Sequence, residues 1–386
     1  MTETSENNAF SKGTSVGLNR QSPAAPSDLQ GGDTDSILEV SHVSSSYRDG
    51  GLGIVSRPQS VQILHDVSFR IHKGEFFGLV GESGCGKSTL CNSILGLQPF
   101  SGTIRVNGTS RKELGRKDFS EAVQAVFQDP MSALDLRKTI GYTLREPLIA
   151  HSIGTAQEQH AAVLEMLSRI GLDASYEDRY PGELSGGQRQ RICIGAALML
   201  HPSLIIADEA VSALDVSVGA QILNLFRDTG RNENFAMLFI SHNLNVVYYL
   251  CSRIAVMYSG RIVEIGSADD IYYHSVHPYT RLLLSAIPDF EHGIEEEEAK
   301  EAGSERQTQA ELHKAGEAAG TDRAEKAGRS IGKGAAKGGL SGQPHTACCF
   351  YARCPYATEK CLCESPQINV AHEDAPEHLV SCILAK

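Results

Sequence analysis

The chain lacks a basic balance: 35 Lys and Arg stand against 47 Asp and Glu, a formal net charge of −12. Phosphate backbones are bound by basic faces, so this deficit argues against nucleic acid as the main partner. The charge is unevenly placed, because the run Glu295-Glu296-Glu297-Glu298 supplies part of it, and it weighs less for that reason. Also missing is any uninterrupted apolar run near the roughly 18 residues that a membrane helix needs. The start, MTETSENNAFSKGTS, has neither a basic n-region nor an apolar h-region, so no signal peptide is expected. These absences favour a cytoplasmic chain, at most peripheral to a membrane. There is no internal repeat and no heptad run. In a reducing cytosol the ten cysteines are expected as ligands or core residues rather than disulfides.

What is present falls into four stretches. Residues 1–35 are rich in Ser, Asn, Gly, Pro and acidic residues and are expected to be disordered. Residues 36–288 have globular texture, with short apolar runs, turn signals and amphipathic segments. Residues 289–344 read as a flexible, low-complexity linker. Between Glu295 and Gly339 the only large apolar residues are Leu312 and Ile331, too few to offset the entropy of ordering the backbone. Residues 345–386 carry clustered cysteines and read as a small separate unit.

The strongest motif is GEFFGLVGESGCGKSTL. Phe76–Val80 reads as a buried strand, Gly81-Glu82-Ser83-Gly84-Cys85-Gly86-Lys87-Ser88 matches G-x-x-x-x-G-K-[ST], and Thr89 onward can continue as a helix. The glycines let backbone N–H groups face phosphate oxygens unobstructed, and the helix N-terminus adds a favourable dipole. Lys87 is placed to reach the β- and γ-phosphates and the Ser88 hydroxyl to ligate Mg²⁺. Cys85 reads as a small residue tolerated in the loop. Downstream, SLIIADEA gives a second buried strand ending in Asp208 and Glu209. Carboxylates at the carboxyl end of a parallel strand sit where nucleotide-binding sheets hold ligands. Asp208 is the candidate Mg²⁺ holder, and Glu209 the candidate general base for an attacking water.

Between these elements lies LSGGQRQR, residues 184–191, and after them come SALD, 212–215, and FISHN, 239–243. With these pieces, residues from about Leu38 to Pro288 resemble the ATP-binding subunit of an ABC transporter. The residues themselves agree: Ser185-Gly186-Gly187-Gln188 opens an apolar-periodic segment, a helix N-terminus able to bind an anion. It lies about a hundred residues from the phosphate loop. The resemblance implies that two cassettes dimerise head to tail, each signature closing on the other's ATP. It further implies that Tyr47 stacks on adenine and that Gln128 joins Mg²⁺ and senses the permease. Asp215 is implied to cross the dimer interface, and His242 to contact the γ-phosphate. One departure is local: the family usually has Pro-Thr after the D-E pair, and this chain has Ala210-Val211.

VFQDPMSALDLRKTIGYTLREPL and SVHPYTRLLLSAIP narrow the resemblance to ATPases of oligopeptide and dipeptide importers, a group that includes nickel importers. His277-Pro278-Tyr279-Thr280 reads independently as a turn capping a helix that packs on the cassette. The group commonly ends in a cysteine unit, and Cys348, Cys354 and Cys361 match its spacing, with Cys382 following in HLVSC. On ligand chemistry four such thiolates suit Zn²⁺ or a 4Fe–4S cluster, and the resemblance implies the cluster. Free thiols are the remaining alternative. Cys349 and Cys363 fall outside the pattern, and Cys91, Cys193 and Cys251 read as core residues. The linker is longer than is usual in the group.

The expected fold is therefore an α/β P-loop cassette: a mixed core sheet with flanking helices, an antiparallel β subdomain and a helical signature subdomain over roughly 130–182. The cysteine unit follows it. The expected function is ATP hydrolysis on the cytoplasmic face of the inner membrane, energising peptide uptake. The implied partners are a second, related ATPase subunit, two transmembrane permease subunits and an extracytoplasmic substrate-binding protein. A nickel or metal-chelate importer ATPase is the alternative within the family, and a soluble non-transport ABC ATPase the alternative outside it.

Overall fold

The computed structural model describes residues 35–48, 60–287, 347–364, 366–372 and 375–383. The expected disordered tail before residue 35 and the expected linker, apart from its surroundings at 347 onward, lie outside the described residues.

Two sheets and a set of helices enclose two apolar cores. Strands β1 (Ser36–Arg48) and β2 (Ser60–His72) open the fold, followed by β3 (Phe76–Val80), helix α1 (Lys87–Leu95), β4 (Ser101–Val106) and β5 (Thr109–Ser110). Next come α2 (Arg116–Ala122), β6 (Val123–Val126), α3 (Pro130–Ala133), α4 (Ile140–His151), α5 (Ala156–Arg169) and α6 (Gly186–Leu198). Then follow β7 (Leu204–Asp208), α7 (Val216–Glu233), β8 (Ala236–Ser241), α8 (Leu244–Leu250), β9 (Arg253–Tyr258) and β10 (Arg261–Ser267). Helices α9 (Ala268–Tyr273), α10 (Pro278–Ser285) and α11 (Lys360–Cys363) and strands β11 (Asn369–His372) and β12 (Ala375–Val380) complete the order. None of the described helices is long and apolar enough to cross a membrane.

The smaller sheet is antiparallel, in the order β2-β1-β4-β5; the larger runs β11-β12-β10-β9-β3-β8-β7-β6. The central strands are near-continuous apolar runs because both of their faces are covered. Alternate residues divide between the cores: Phe77, Leu79, Leu204, Ile206, Leu238 and Ile240 pack toward β1 and β2, with Leu38, Val40 and Ile71. Ile205, Ala207, Met237 and Phe239 pack on the opposite face, together with Leu144, Met166 and Ile192 of helices α4, α5 and α6. A one-residue slip would move each set to the wrong core, so this period-2 division fixes the register.

The strands expected to belong to a separate cysteine unit extend the cassette's own sheet. β12 pairs antiparallel with β10, Glu264 opposite Val380 and Ile265 opposite Leu379, and β11 covers β12 in turn. Phe350 is 1% exposed and joins the core under the helices.

Candidate functional site

Strands β6, β7, β8 and β3 are neighbours and parallel, so their carboxyl ends share one edge of the sheet. Val80 stands opposite Ser241, Asp208 opposite Ile240, and Val126 opposite Ala207. The residue after each strand therefore emerges at a common rim: Gly81 after β3, Glu209 after β7, His242 after β8, and Gln128 two residues beyond β6. Four motifs up to 161 residues apart (Gly81 to His242) are gathered there by register alone.

The phosphate loop is shaped by its glycines. Gly86 holds φ at 112°, in the left-handed region, and caps α1. A Cβ on Gly81 would meet the Met257 carbonyl. From its buried position Lys87 donates to the carbonyls of Gly81, at 2.7 Å, and Glu82, at 3.1 Å, spanning the loop's mouth. Ser83, Gly84 and Ser88 are exposed, whereas Cys85 and Thr89 are buried. Burial raises the Cys85 thiol pKa, so it is a packing residue, held by a bond from the Gly260 N–H to its carbonyl at 2.7 Å.

Asp208 stands beside this loop with Oδ1 buried and unpartnered. Burial pushes its carboxyl above the usual range; a hydrogen bond from Ser88 opposes that, and the Glu209 charge adds to it. A buried acceptor with no donor, next to a hydroxyl and a lysine, is an arrangement that a divalent cation would complete. Glu209 follows with φ of 51°, a left-handed conformation uncommon for a residue with a Cβ. Its N–H donates to the Ile240 carbonyl at 2.9 Å, which holds the turn against β8. Its Oε2 lies 2.8 Å from Nδ1 of His242. The candidate base and the candidate γ-phosphate contact thus touch each other directly. Ala210, where Pro is usual in the resembling family, is 2% exposed and packs in the core.

Gln128 is exposed at the same rim, ahead of α3, whose N-cap is Asp129. Tyr47 lies on β1 in the antiparallel sheet, 45% exposed and paired with Val61. The signature residues sit elsewhere: Ser185 caps α6 in a reciprocal capping box with Gln188. Ser185, Gly187 and Gln188 line a cleft of about 440 Å³ with Tyr176, Arg191 and Val218. Asp215 caps α7, accepting from the Val218 N–H at 2.9 Å, and Val216 beside it is 91% exposed.

The His277–Thr280 stretch has the capping role expected of it and a second role that sequence does not signal. The His277 Nδ1 accepts from the Tyr279 N–H at 3.1 Å and starts α10. The Tyr279 hydroxyl, at 0% residue exposure, accepts from the Glu82 N–H of the phosphate loop at 2.9 Å. Burial drives His277 down to about 4, against the attraction of Glu264. The folded pKa is depressed, so His277 leaves stability untouched above pH 6.5. Below it the unfolded chain takes up a proton that the buried ring refuses. By linkage this destabilises the fold by about 2 kcal/mol at pH 5. Thermal melts at pH 7.5 and 5 check it: His277→Gln should narrow the drop in Tm between the two, and an unchanged drop would refute the assignment.

The cysteine unit meets the same rim. Arg353 grips Glu82 with both guanidinium nitrogens, Nη1 to Oε2 at 2.8 Å and Nη2 to Oε1 at 2.9 Å. Neither Tyr279 nor Arg353 is a candidate from sequence as a phosphate-loop contact. Cys348 and Cys361 are bound backbone to backbone, N–H to carbonyl at 2.8 Å. The Cys348 thiol pairs with Cys349, which lowers the pKa of Cys348 and raises that of Cys349. Among the described residues, no group of three or more His, Cys, Asp or Glu side chains is arranged to hold a metal ion. The expected cluster on Cys348, Cys354, Cys361 and Cys382 does not fit this arrangement, and no step below runs through it. Cys91 and Cys251 are buried core residues, as expected, and Cys193 packs against the core half-buried.

Comparison with known proteins agrees with this geometry. Residues 64–212 match the ABC transporter family, and residues 263–316 match the oligopeptide/dipeptide transporter C-terminal region. The oligopeptide transport ATP-binding protein AppF of Bacillus subtilis is 37% identical over 91% of this chain and 98% of its own length. The glutathione import ATP-binding protein GsiA of Pectobacterium atrosepticum is 45% identical over 68% of this chain, which spans only 43% of that protein. A dimeric ATP-binding cassette, solved in a post-hydrolysis state with ADP and phosphate, superposes with a TM-score of 0.53 at 26% identity. It covers 60% of this chain and 98% of its own. The chain belongs to the ABC transporter ATPases, in their oligopeptide/dipeptide branch, which bind ATP with Mg²⁺ and couple its hydrolysis to transport.

Proposed function

We propose that this chain is the ATP-hydrolysing subunit of a peptide importer and works on the cytoplasmic face of the plasma membrane. The observation that carries the reading is the shared rim, where the Lys87 loop, the orphaned Asp208 oxygen and the Glu209–His242 pair meet. Lys87 and the loop N–H groups of 81–88 receive the β- and γ-phosphates, while Tyr47 stacks on the adenine. Ser88, Asp208 and Gln128 would hold Mg²⁺, which would neutralise charge on the phosphate oxygens. Glu209 orients the attacking water and takes its proton, and His242 contacts the γ-phosphate from beside it.

The signature residues Ser185 to Gln188 lie on a separate helix start, open to solvent. They serve the ATP of a second cassette docked head to tail, with Asp215 at the shared face. The exposed Val216 next to Asp215 supports a covered surface there. A related but distinct ATPase subunit is the preferred partner. Two permease subunits would dock near Gln128, and an extracytoplasmic binding protein would deliver substrate to them. Closure of the cassette pair on ATP moves the permeases, and hydrolysis resets them. Residues 36–288 form the cassette and residues 345–386 an accessory unit joined to it by the linker 289–344.

Uptake of labelled tripeptides and of radioactive nickel in a deletion strain, complemented with the wild-type gene, tests the substrate. Loss of peptide uptake alone is expected. Loss of nickel uptake alone would favour the metal-importer reading. Loss of neither, with the protein co-sedimenting with ribosomes or DNA, would overturn a transport role.

A further inference from the structure

The phosphate loop contains one acidic residue, Glu82, two positions after the strand that feeds it. Its carboxylate is 42% exposed and belongs to the loop that is to receive a polyanion. Two elements from far along the chain hold this residue. The Tyr279 hydroxyl takes its N–H, and Arg353 clasps both of its carboxylate oxygens across a separation of 271 residues.

The two holders are themselves locked together. Phe350, buried, packs its ring 5.5 Å from that of Tyr279 and 5.2 Å, edge-on, from that of Tyr258. The Arg353 guanidinium lies over Tyr258 and Phe350 at 5.7 and 5.9 Å. Tyr258 ends β9, the neighbour of the strand that feeds the loop. The guanidinium is thus aimed by packing, so little side-chain freedom is lost when the fork forms. A forked Arg–carboxylate pair fixes orientation as well as charge.

We propose that Arg353 is a positioning residue for ATP: its fork neutralises Glu82 and fixes the first turn of the phosphate loop, so the C-terminal unit tunes nucleotide affinity. The inference rests on the reading of residues 81–88 as the ATP site. The charge argument is direct. Without its partner, Glu82 leaves a full negative charge in the loop that is to receive the triphosphate, and like charges repel where they lie within the Debye length, about 8 Å at physiological salt. An ordinary carboxyl is already ionised at neutral pH, and the hydrogen bond from Arg353 holds that of Glu82 lower still. The pair is half exposed and screened, which makes the expected effect on affinity modest. Glu209 and His242, which make no contact with Arg353 in the bonding described above, leave the chemical step to proceed as before.

The test uses the full-length protein with a fluorescent ATP analogue for affinity and ATP hydrolysis for KM and kcat. Arg353→Ala should weaken analogue binding and raise KM about fivefold, with kcat within twofold of wild type. Arg353→Lys, which keeps the charge and loses the fork, should recover part of the affinity. Glu82→Gln combined with Arg353→Ala should bind as tightly as Glu82→Gln alone, because no unpaired charge remains. Unchanged affinity in Arg353→Ala, or a double variant as weak as Arg353→Ala, would overturn the proposal. If Arg353→Ala does not fold, Arg353→Lys and Glu82→Gln carry the same comparison. A folded wild-type protein that binds no nucleotide would instead overturn the ATP-site reading, and this proposal with it.

Discussion

Glu209→Gln is expected to lower ATP hydrolysis at least a hundredfold while leaving nucleotide affinity nearly intact. A positioned general base contributes on the order of 10²–10⁴-fold, and the amide removes the basicity at almost constant shape. The surroundings of Glu209 explain why shape should be kept. Its backbone is held at φ 51° by the bond from its N–H to the Ile240 carbonyl, and the side chain is only 17% exposed. Strain of this kind costs on the order of 1–3 kcal/mol and persists only where the surrounding structure over-determines it. Gln would meet the same backbone cost and could still bond His242. Steady-state hydrolysis beside analogue binding checks the split. A Glu209→Gln protein that hydrolyses within tenfold of wild type would remove Glu209 as the base. A larger loss in His242→Ala would then move the role to His242.

Phe350→Ala should destabilise the protein by about 3–5 kcal/mol, since large-to-small changes at a buried aromatic lose transfer energy and leave a cavity. For a domain of this size that corresponds to a fall in Tm of about 5 °C or more. Phe350 sits among Tyr258, Tyr279 and His277, so its loss also loosens the C-terminal unit from the sheet. Protease cleavage after residue 344 and faster amide exchange in β12 are expected with it. Val370→Ala is the control, because Val370 is 50% exposed on β11 and should stay within about 0.5 kcal/mol. If Phe350→Ala melts with the wild type and keeps its protection in β12, the C-terminal strands do not depend on this packing.

Much of the site was legible in the residues because its chemistry is written in short local motifs. A glycine loop between a strand and a helix constrains φ, dipole and lysine position over a dozen residues, so Gly81 to Thr89 needs no tertiary information to be recognised. The same holds for Asp208 and Glu209 at the end of an apolar strand, and for the helix start at Ser185. The turn at His277 is likewise local, and its cap is as read. The 4Fe–4S expectation was of another kind. It rested on the resemblance and on the spacing of Cys348, Cys354 and Cys361, which does not set where the thiols point, and among the described residues no group of three or more His, Cys, Asp or Glu side chains is arranged to hold a metal ion.

Sequence alone therefore determined the individual motifs of the candidate phosphate site, because each is a local pattern of neighbouring residues. Only the tertiary structure decided what stands around that chemistry. Parallel register brought His242 to within 2.8 Å of Glu209, and antiparallel pairing on β10 carried the cysteine segment into the sheet. From there a buried phenylalanine aimed Arg353 at Glu82. Nothing in the residues around Arg353 encodes that partner, because a contact across 271 residues is set by packing and strand order, not by local propensity.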